Sequence, residues 1–176
     1  MQNSNITNYI NKGNIINIKS EILCREAEDD FFYFNKIYSA YKKLNEAVKL
    51  SPYHIKSIIL LADICFIKGF IKKALSLYIR AAELHKNAKV MGAIAACYNT
   101  LSKYKLAINT CDEAISLITE EESTLFVQIA ELKINILTKM KQYKLAYNTF
   151  LRIKNISDNN SLQLVYNINY ENLMKK

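Results

Sequence analysis

The chain has 176 residues, 51% of them apolar, with three Gly, one Pro and four Cys, and a formal net charge of +8. A chain of this length buries roughly two-thirds of its unfolded surface and needs no disulfide or metal staple, and so few Gly and Pro exclude a hairpin-rich or collagen-like build. What remains is helices joined by short turns, with a basic surface that bears on partners and not on fold.

The first thirteen residues, "MQNSNITNYINKG", are polar and Asn-rich and lack the basic start and apolar run of an export signal. Residues 1–13 are expected to be a mobile terminal segment, and residues 14–176 a single domain. The most apolar stretch, "SIILLADICFI" at 57–67, carries Asp63 and falls short of the ~20 residues of a spanning helix. The chain is therefore expected to have no membrane span and to be cytoplasmic.

Amphipathic segments follow one another from residue 40 on. Ala40, Leu44 and Ala47 stand at offsets of four and seven, and the frame returns as Ala74, Tyr78 and Ala81, as Ala107, Cys111 and Ala114, and as Ala146, Phe150 and Ile153. Upstream of the second and third of these runs another stripe, Ile58, Leu61, Ala62 and Cys65 in one case and Met91, Ile94, Ala95 and Tyr98 in the next. Offsets of three, four and seven put such side chains on one helical face. Each unit is thus a pair of helices, A then B. The heptapeptides "YKLAINT" at 104–110 and "YKLAYNT" at 143–149 are the first half of helix B written twice.

Successive alanines of the frame are 34, 33 and 39 residues apart. A period near 34 made of two amphipathic helices, with Gly69 in one A-to-B turn and Pro52 closing a unit in "LSPYH", resembles the tetratricopeptide repeat (TPR) family. The resemblance implies an all-α fold, a right-handed α-solenoid of about four helix–turn–helix units (about 21–54, 55–87, 88–121 and 124–160) with a C-terminal capping helix at 161–175. Leu162, Val165, Ile168 and Leu173 are the apolar positions of that last helix. The first unit departs from the family pattern at Cys24, Ala27 and Glu28, and the fourth places Lys133 on an apolar position. A shift of one residue, to Phe126, Ile129, Leu132, Ile136 and Met140, repairs that stripe at the cost of a longer turn. The surplus of residues before the fourth unit falls at "ITEEES", expected as a surface-loop insertion.

In this family helix A lines the concave face, so the resemblance implies a partner-binding groove. In the first unit it falls on Arg25, Asp29, Phe32 and Tyr33, and in the second on Lys56, Ile59, Asp63, Phe66 and Ile67. The third gives Lys89, Gly92, Ala96 and Asn99, and the fourth Gln128, Glu131 and Asn135. One subclass clamps a C-terminal carboxylate with Lys, Asn, Asn, Lys and Arg. The matching places here are Arg25, Asp29, Leu60, Lys89 and Ala93, which keep two cations and neither amide, so no such clamp is expected. Phe32, Ile59 and Phe66 suit an apolar or amphipathic segment of another protein.

A second surface is marked by charge. The windows around the A-to-B turns hold Lys36, Lys42 and Lys43, then Lys68, Lys72 and Lys73, then Lys103 and Lys105, then Lys139, Lys141 and Lys144, with no acid among them. Regular stacking would align these as a basic edge. It is either a solvated, solubilising edge or a dock for an acidic protein, nucleic acid or anionic lipid heads.

Catalytic and metal chemistry find little to work with. His54 and His85 both fall in turns between units, and Cys24, Cys65, Cys97 and Cys111 show no C-x-x-C pair, which reads as reduced core thiols. No phosphate-cradling glycine motif occurs. Adjacent residues on a helix point apart, so neither Asp29–Asp30 nor Glu120–Glu122 is a ready cation site, and a solvated face or loop is expected for both. The expectation is a non-catalytic adaptor or scaffold without cofactor or metal. The alternatives are a helical-repeat protein docking nucleic acid or an acidic partner on the lysine edge, and a small secretion chaperone of TPR type. Self-association through exposed apolar ends is left open.

Overall fold

Four alanines, Ala40, Ala74, Ala107 and Ala146, are wholly buried, one in each repeat. A computed structural model describes the backbone of residues 2–119 and 121–156 and the side chains of 16–119 and 121–153. Among these residues there are eight helices and no strand: α1 (Gln2–Phe32), α2 (Ile37–Leu50), α3 (Ile55–Ile67), α4 (Ile71–Leu84), α5 (Ala88–Thr100), α6 (Tyr104–Ser116), α7 (Ser123–Lys139) and α8 (Tyr143–Ile156). They pair as four consecutive helix–turn–helix repeats of the TPR-like α-solenoid class. The capping helix expected at 161–175 lies outside the described residues, as does Glu120 of the acidic run.

The helices group into two compact units, the first running to His85 and the second starting at Lys86. In the first, α1 packs on α2, α2 on α3 and α3 on α4, and α1 also touches α3. The second repeats the scheme, with α5 on α6, α6 on α7, α7 on α8, and α5 touching α7. Helix A of one repeat thus meets helix A of the next within each unit.

Most positions that the spacing picks out are core, but Tyr98 and Phe150 are only half-buried, and Leu60, Ile64, Val90 and Cys97 join the core. Leu44 and Ala47, Tyr78 and Ala81, Cys111 and Ala114, and Ile153 are buried on the B helices, as are Ile58, Leu61, Ala62 and Cys65 on α3 and Met91, Ile94 and Ala95 on α5. A fully buried Leu or Ile of this kind contributes roughly 1.5–3 kcal/mol. Alanine recurs where the helices cross because a larger side chain would hold the axes apart.

The A-to-B turns share one backbone device. Five residues before each frame alanine the chain enters the left-handed region, at Asn35, Gly69, Ser102 and Lys141. In the second repeat the amide of Gly69 donates to the Phe66 carbonyl and that of Phe70 to Cys65, and the same pair of bonds recurs around Ser102 and Lys141. This double closure satisfies carbonyls left open at the end of helix A. Glycine accepts the left-handed conformation without cost, whereas Asn, Ser and Lys do not.

Three expectations need adjustment. Helix α1 begins at Gln2, so its backbone is helical over residues 2–13, where a mobile terminal segment is expected from the sequence. Its departures from the pattern are real core positions: Cys24 and Ala27 are buried, with Ser20 beside them donating to the Ala47 carbonyl at 3.0 Å. In the fourth repeat the shifted register is met in part, since Phe126, Ile129 and Ile136 of it are buried. Ala130, Ile134 and Leu137 form the core with Phe126, Ala146 and Ile153, Leu132 and Met140 are only half-buried, and the turn between α7 and α8 keeps the ordinary length. Lys133 does lie on the apolar stripe, where its amine pairs with Asp112 of α6. The surplus before this repeat lengthens α7 as well as the preceding loop.

Candidate functional site

In the first unit the helix-A face is built by α1 and α3. Arg25, Asp29, Phe32, Tyr33 and Ile67 are exposed on it, and Ile59 and Phe66 are half-buried. Phe32 keeps 65% of its surface in solvent and Ile67 keeps 58%. Lys56 on α3 reaches Glu28 on α1 at 2.8 Å, and that carboxylate raises the pKa of the ammonium. Asp63 is committed elsewhere: it accepts the hydroxyl proton of Tyr78, which is otherwise buried between α3 and α4. Its carboxylate keeps a core tyrosine satisfied.

The sequence reading missed two members of this face. Ile18 and Ile22 stand one helical turn apart, exposed, on the side of α1 that carries Arg25, Asp29 and Phe32. Their spacing is readable, but a first unit that starts at residue 21 leaves it out of the frame.

The corresponding face of the second unit is different in kind. Lys89, Gln128 and Asn135 are exposed, and Gly92, Ala96, Asn99 and Glu131 are half-buried. None is a large apolar side chain. Gly92 has no room to offer a partner, because a Cβ there would stand 3.1 Å from Cγ1 of Ile129 on α7. Asn99 accepts from Lys139 at 3.2 Å.

Of the eleven edge lysines, Lys43 is drawn inward. It bridges Asp30 at 2.8 Å and Glu26 at 3.2 Å, and Ser39 adds a hydrogen bond to Asp30 at 2.6 Å. Lys43 and then Ser39 hold the Asp30 carboxyl below the usual carboxylate range. Asp30 is therefore a buried structural acid, while its neighbour Asp29 is exposed. The other ten lysines are exposed, and none has a carboxylate at ion-pair distance among the described residues. Several lean on aromatic rings instead. Lys73 lies 4.8 Å above the Tyr41 ring and also donates to its hydroxyl, Lys68 lies 6.0 Å above the same ring, and Lys36 lies 5.1 Å above Phe34.

The four cysteines are free and buried. Burial raises the pKa of all four thiols, pushing Cys97 and Cys111 up to about 12. A thiol so placed is a poor nucleophile. Among the described residues no group of His, Cys, Asp or Glu side chains is placed to hold a metal ion, and no helix is long and apolar enough to cross a membrane. His54 is half-buried, with Nδ1 at 2.6 Å from the Ser57 hydroxyl, and His85 is exposed.

No family model matches the sequence. No curated protein matches it either. Solved structures do. MamA superposes with a TM-score of 0.71 at 15% identity, over 78% of this chain and 78% of its own. TTC0263, a thermophilic TPR protein of Thermus thermophilus, gives 0.64 at 16% identity, over 89% and 82%. YrrB, described as a TPR protein with an unusual peptide-binding site, gives 0.64 at 15% identity, over 77% and 67%.

Proposed function

We propose that this TPR-like helical-repeat protein is a non-catalytic interaction module that holds an amphipathic segment of another protein against the helix-A face of its first unit. The observation that carries the reading is the uneven distribution of apolar surface. Phe32 and Ile67 are exposed beside half-buried Ile59 and Phe66 in the first unit, whereas the equivalent positions of the second are polar or small and Leu132 on its face is half-buried. Large apolar side chains left open to solvent are what a helix-in-groove interface uses as anchors. Arg25, Asp29 and the Lys56–Glu28 pair would rim the site and set orientation, since rim charges contribute to specificity more than to affinity. The likeness to YrrB, whose description includes a peptide-binding site, agrees with this reading.

The test is partner capture by the full chain and by two variants, Phe66→Ala and the double change Ile59→Ala with Phe32→Ala, each with an unfolding curve to confirm the fold. Retained stability with lost capture is the expected result. Capture at the wild-type level by both variants would sink the assignment.

A further inference from the structure

The two A-to-B turns of the first unit carry residues that the fold does not ask for. Each turn needs one left-handed residue, supplied by Asn35 and Gly69. Around it the first turn reads Phe34-Asn35-Lys36 and the second Lys68-Gly69-Phe70. Phe34 keeps 61% of its surface exposed and Phe70 keeps 50%. Phe70 and Lys36 occupy the N-cap positions of α4 and α2, and neither side chain caps its helix. Ser, Thr, Asp or Asn would cap there, and a lysine opposes the helix dipole. Local stability therefore accounts for neither residue.

The two turns lie side by side. Lys68 and Lys73, which flank the second turn, both lie over Tyr41 near the start of α2, the helix that follows Lys36 and carries exposed Tyr38. The result is one edge on which exposed aromatic tips stand among lysines that have no carboxylate partner among the described residues. Lys72 extends it, and the aliphatic Ile67 borders it.

We infer that this edge is a peripheral docking surface for an anionic lipid bilayer. Phenylalanine and tyrosine are at home at the depth of the headgroups, while lysine stems lie along apolar surface and carry their charge to the phosphates and carboxylates of the lipids. Charge complementarity supplies the attraction, and the two Phe tips supply the insertion that charge alone does not.

A single-stranded nucleic acid fits the same edge less well. Base stacking needs open ring faces, but Lys36 stands over Phe34, and Lys68 and Lys73 stand over Tyr41, which leaves only Tyr38 and Phe70 of this edge for bases. Ile67 offers no ring, and no arginine stands among these turn residues.

The experiment is co-sedimentation of the full chain with phosphatidylcholine vesicles, with and without about 30 mol % phosphatidylserine, at about 0.15 M salt. Two variants accompany it: Phe34→Ser with Phe70→Ser, and Lys68→Gln with Lys72→Gln and Lys73→Gln. All five side chains are exposed and none belongs to the helix-A face, so partner capture is expected to stay intact, and an unfolding curve confirms that each variant keeps the fold although Lys73→Gln gives up the bond to Tyr41. The wild type is expected to bind the anionic vesicles at least about tenfold more tightly than the neutral ones, and each variant to lose about tenfold. Three results overturn the proposal: no binding to anionic vesicles, a Phe variant that binds like the wild type, or retention on polyuridylate in place of vesicles.

Discussion

Gly92 on α5 faces Ile129 on α7 so closely that a Cβ built on the glycine would stand 3.1 Å from Cγ1 and 3.2 Å from Cδ1 of the isoleucine. This is the contact by which helix A of the third repeat meets helix A of the fourth. Gly92→Val should therefore destabilise by about 1–3 kcal/mol, despite valine's better helix propensity. Ile129→Ala in the same chain should recover part of that loss. Urea unfolding of the single and double variants measures both, and an unchanged midpoint for Gly92→Val would remove the contact from the account.

The left-handed turn residue makes a second prediction. Lys141 has φ of 58° where Gly69 has 79°, and a side chain in this region costs about 1–2 kcal/mol. Part of that is returned because glycine frees the unfolded chain. Lys141→Gly should raise the thermal midpoint and Gly69→Ala should lower it. The opposite order would show that the turn is not under strain.

A third prediction concerns acid. The Asp30 carboxyl is held below its ordinary pKa by Lys43 and Ser39, so its contribution is present above the unfolded value near 3.9 and is lost as pH falls through the folded one. Lys43 is shifted up by Asp30 and Glu26, so its share is complete at neutral pH and fades only in strong alkali. Unfolding free energy should drop below about pH 4. Asp30→Asn should flatten that limb, and an acid limb of full size in the variant would refute the assignment.

A fourth prediction follows from Lys133, which sits on the apolar stripe of α7 and is balanced by Asp112. Replacing a partly buried ion pair by apolar packing is commonly neutral or stabilising. Lys133→Met should change stability by less than about 1 kcal/mol in the unfavourable direction. Asp112→Ala should cost more, because it strands the ammonium. A melt of each variant decides between them.

Much of this fold is legible in the residues because helical periodicity and one recurrent alanine are local signals. Ala40, Ala74, Ala107 and Ala146 mark each crossing without any knowledge of the partner helix. Gly69 announces its turn, but Asn35, Ser102 and Lys141 occupy the same conformation without a distinctive residue type. Burial of Asp30 was not readable either, since its cause is Lys43 and Ser39 reaching across from the next helix. The same holds for Asp63, read as a groove residue and found serving Tyr78, and for Gly92, whose neighbour lies 37 positions on. The family resemblance alone supplied the groove positions, several of which, Asp63 and Gly92 among them, are half-buried. It could not tell that the large exposed apolar ones are confined to the first unit, with Ile18 and Ile22 among them.

The central claim is that the helix-A face of the first unit takes the partner. It is tested most directly by a photo-reactive amino acid placed at Ile67, on that face, and in a second protein at Ile79, exposed on α4, each irradiated in native lysate. The account predicts a discrete protein adduct from position 67, suppressed by Phe66→Ala, and none from position 79. Equal adducts from both positions, or an adduct from 79 alone, would contradict it.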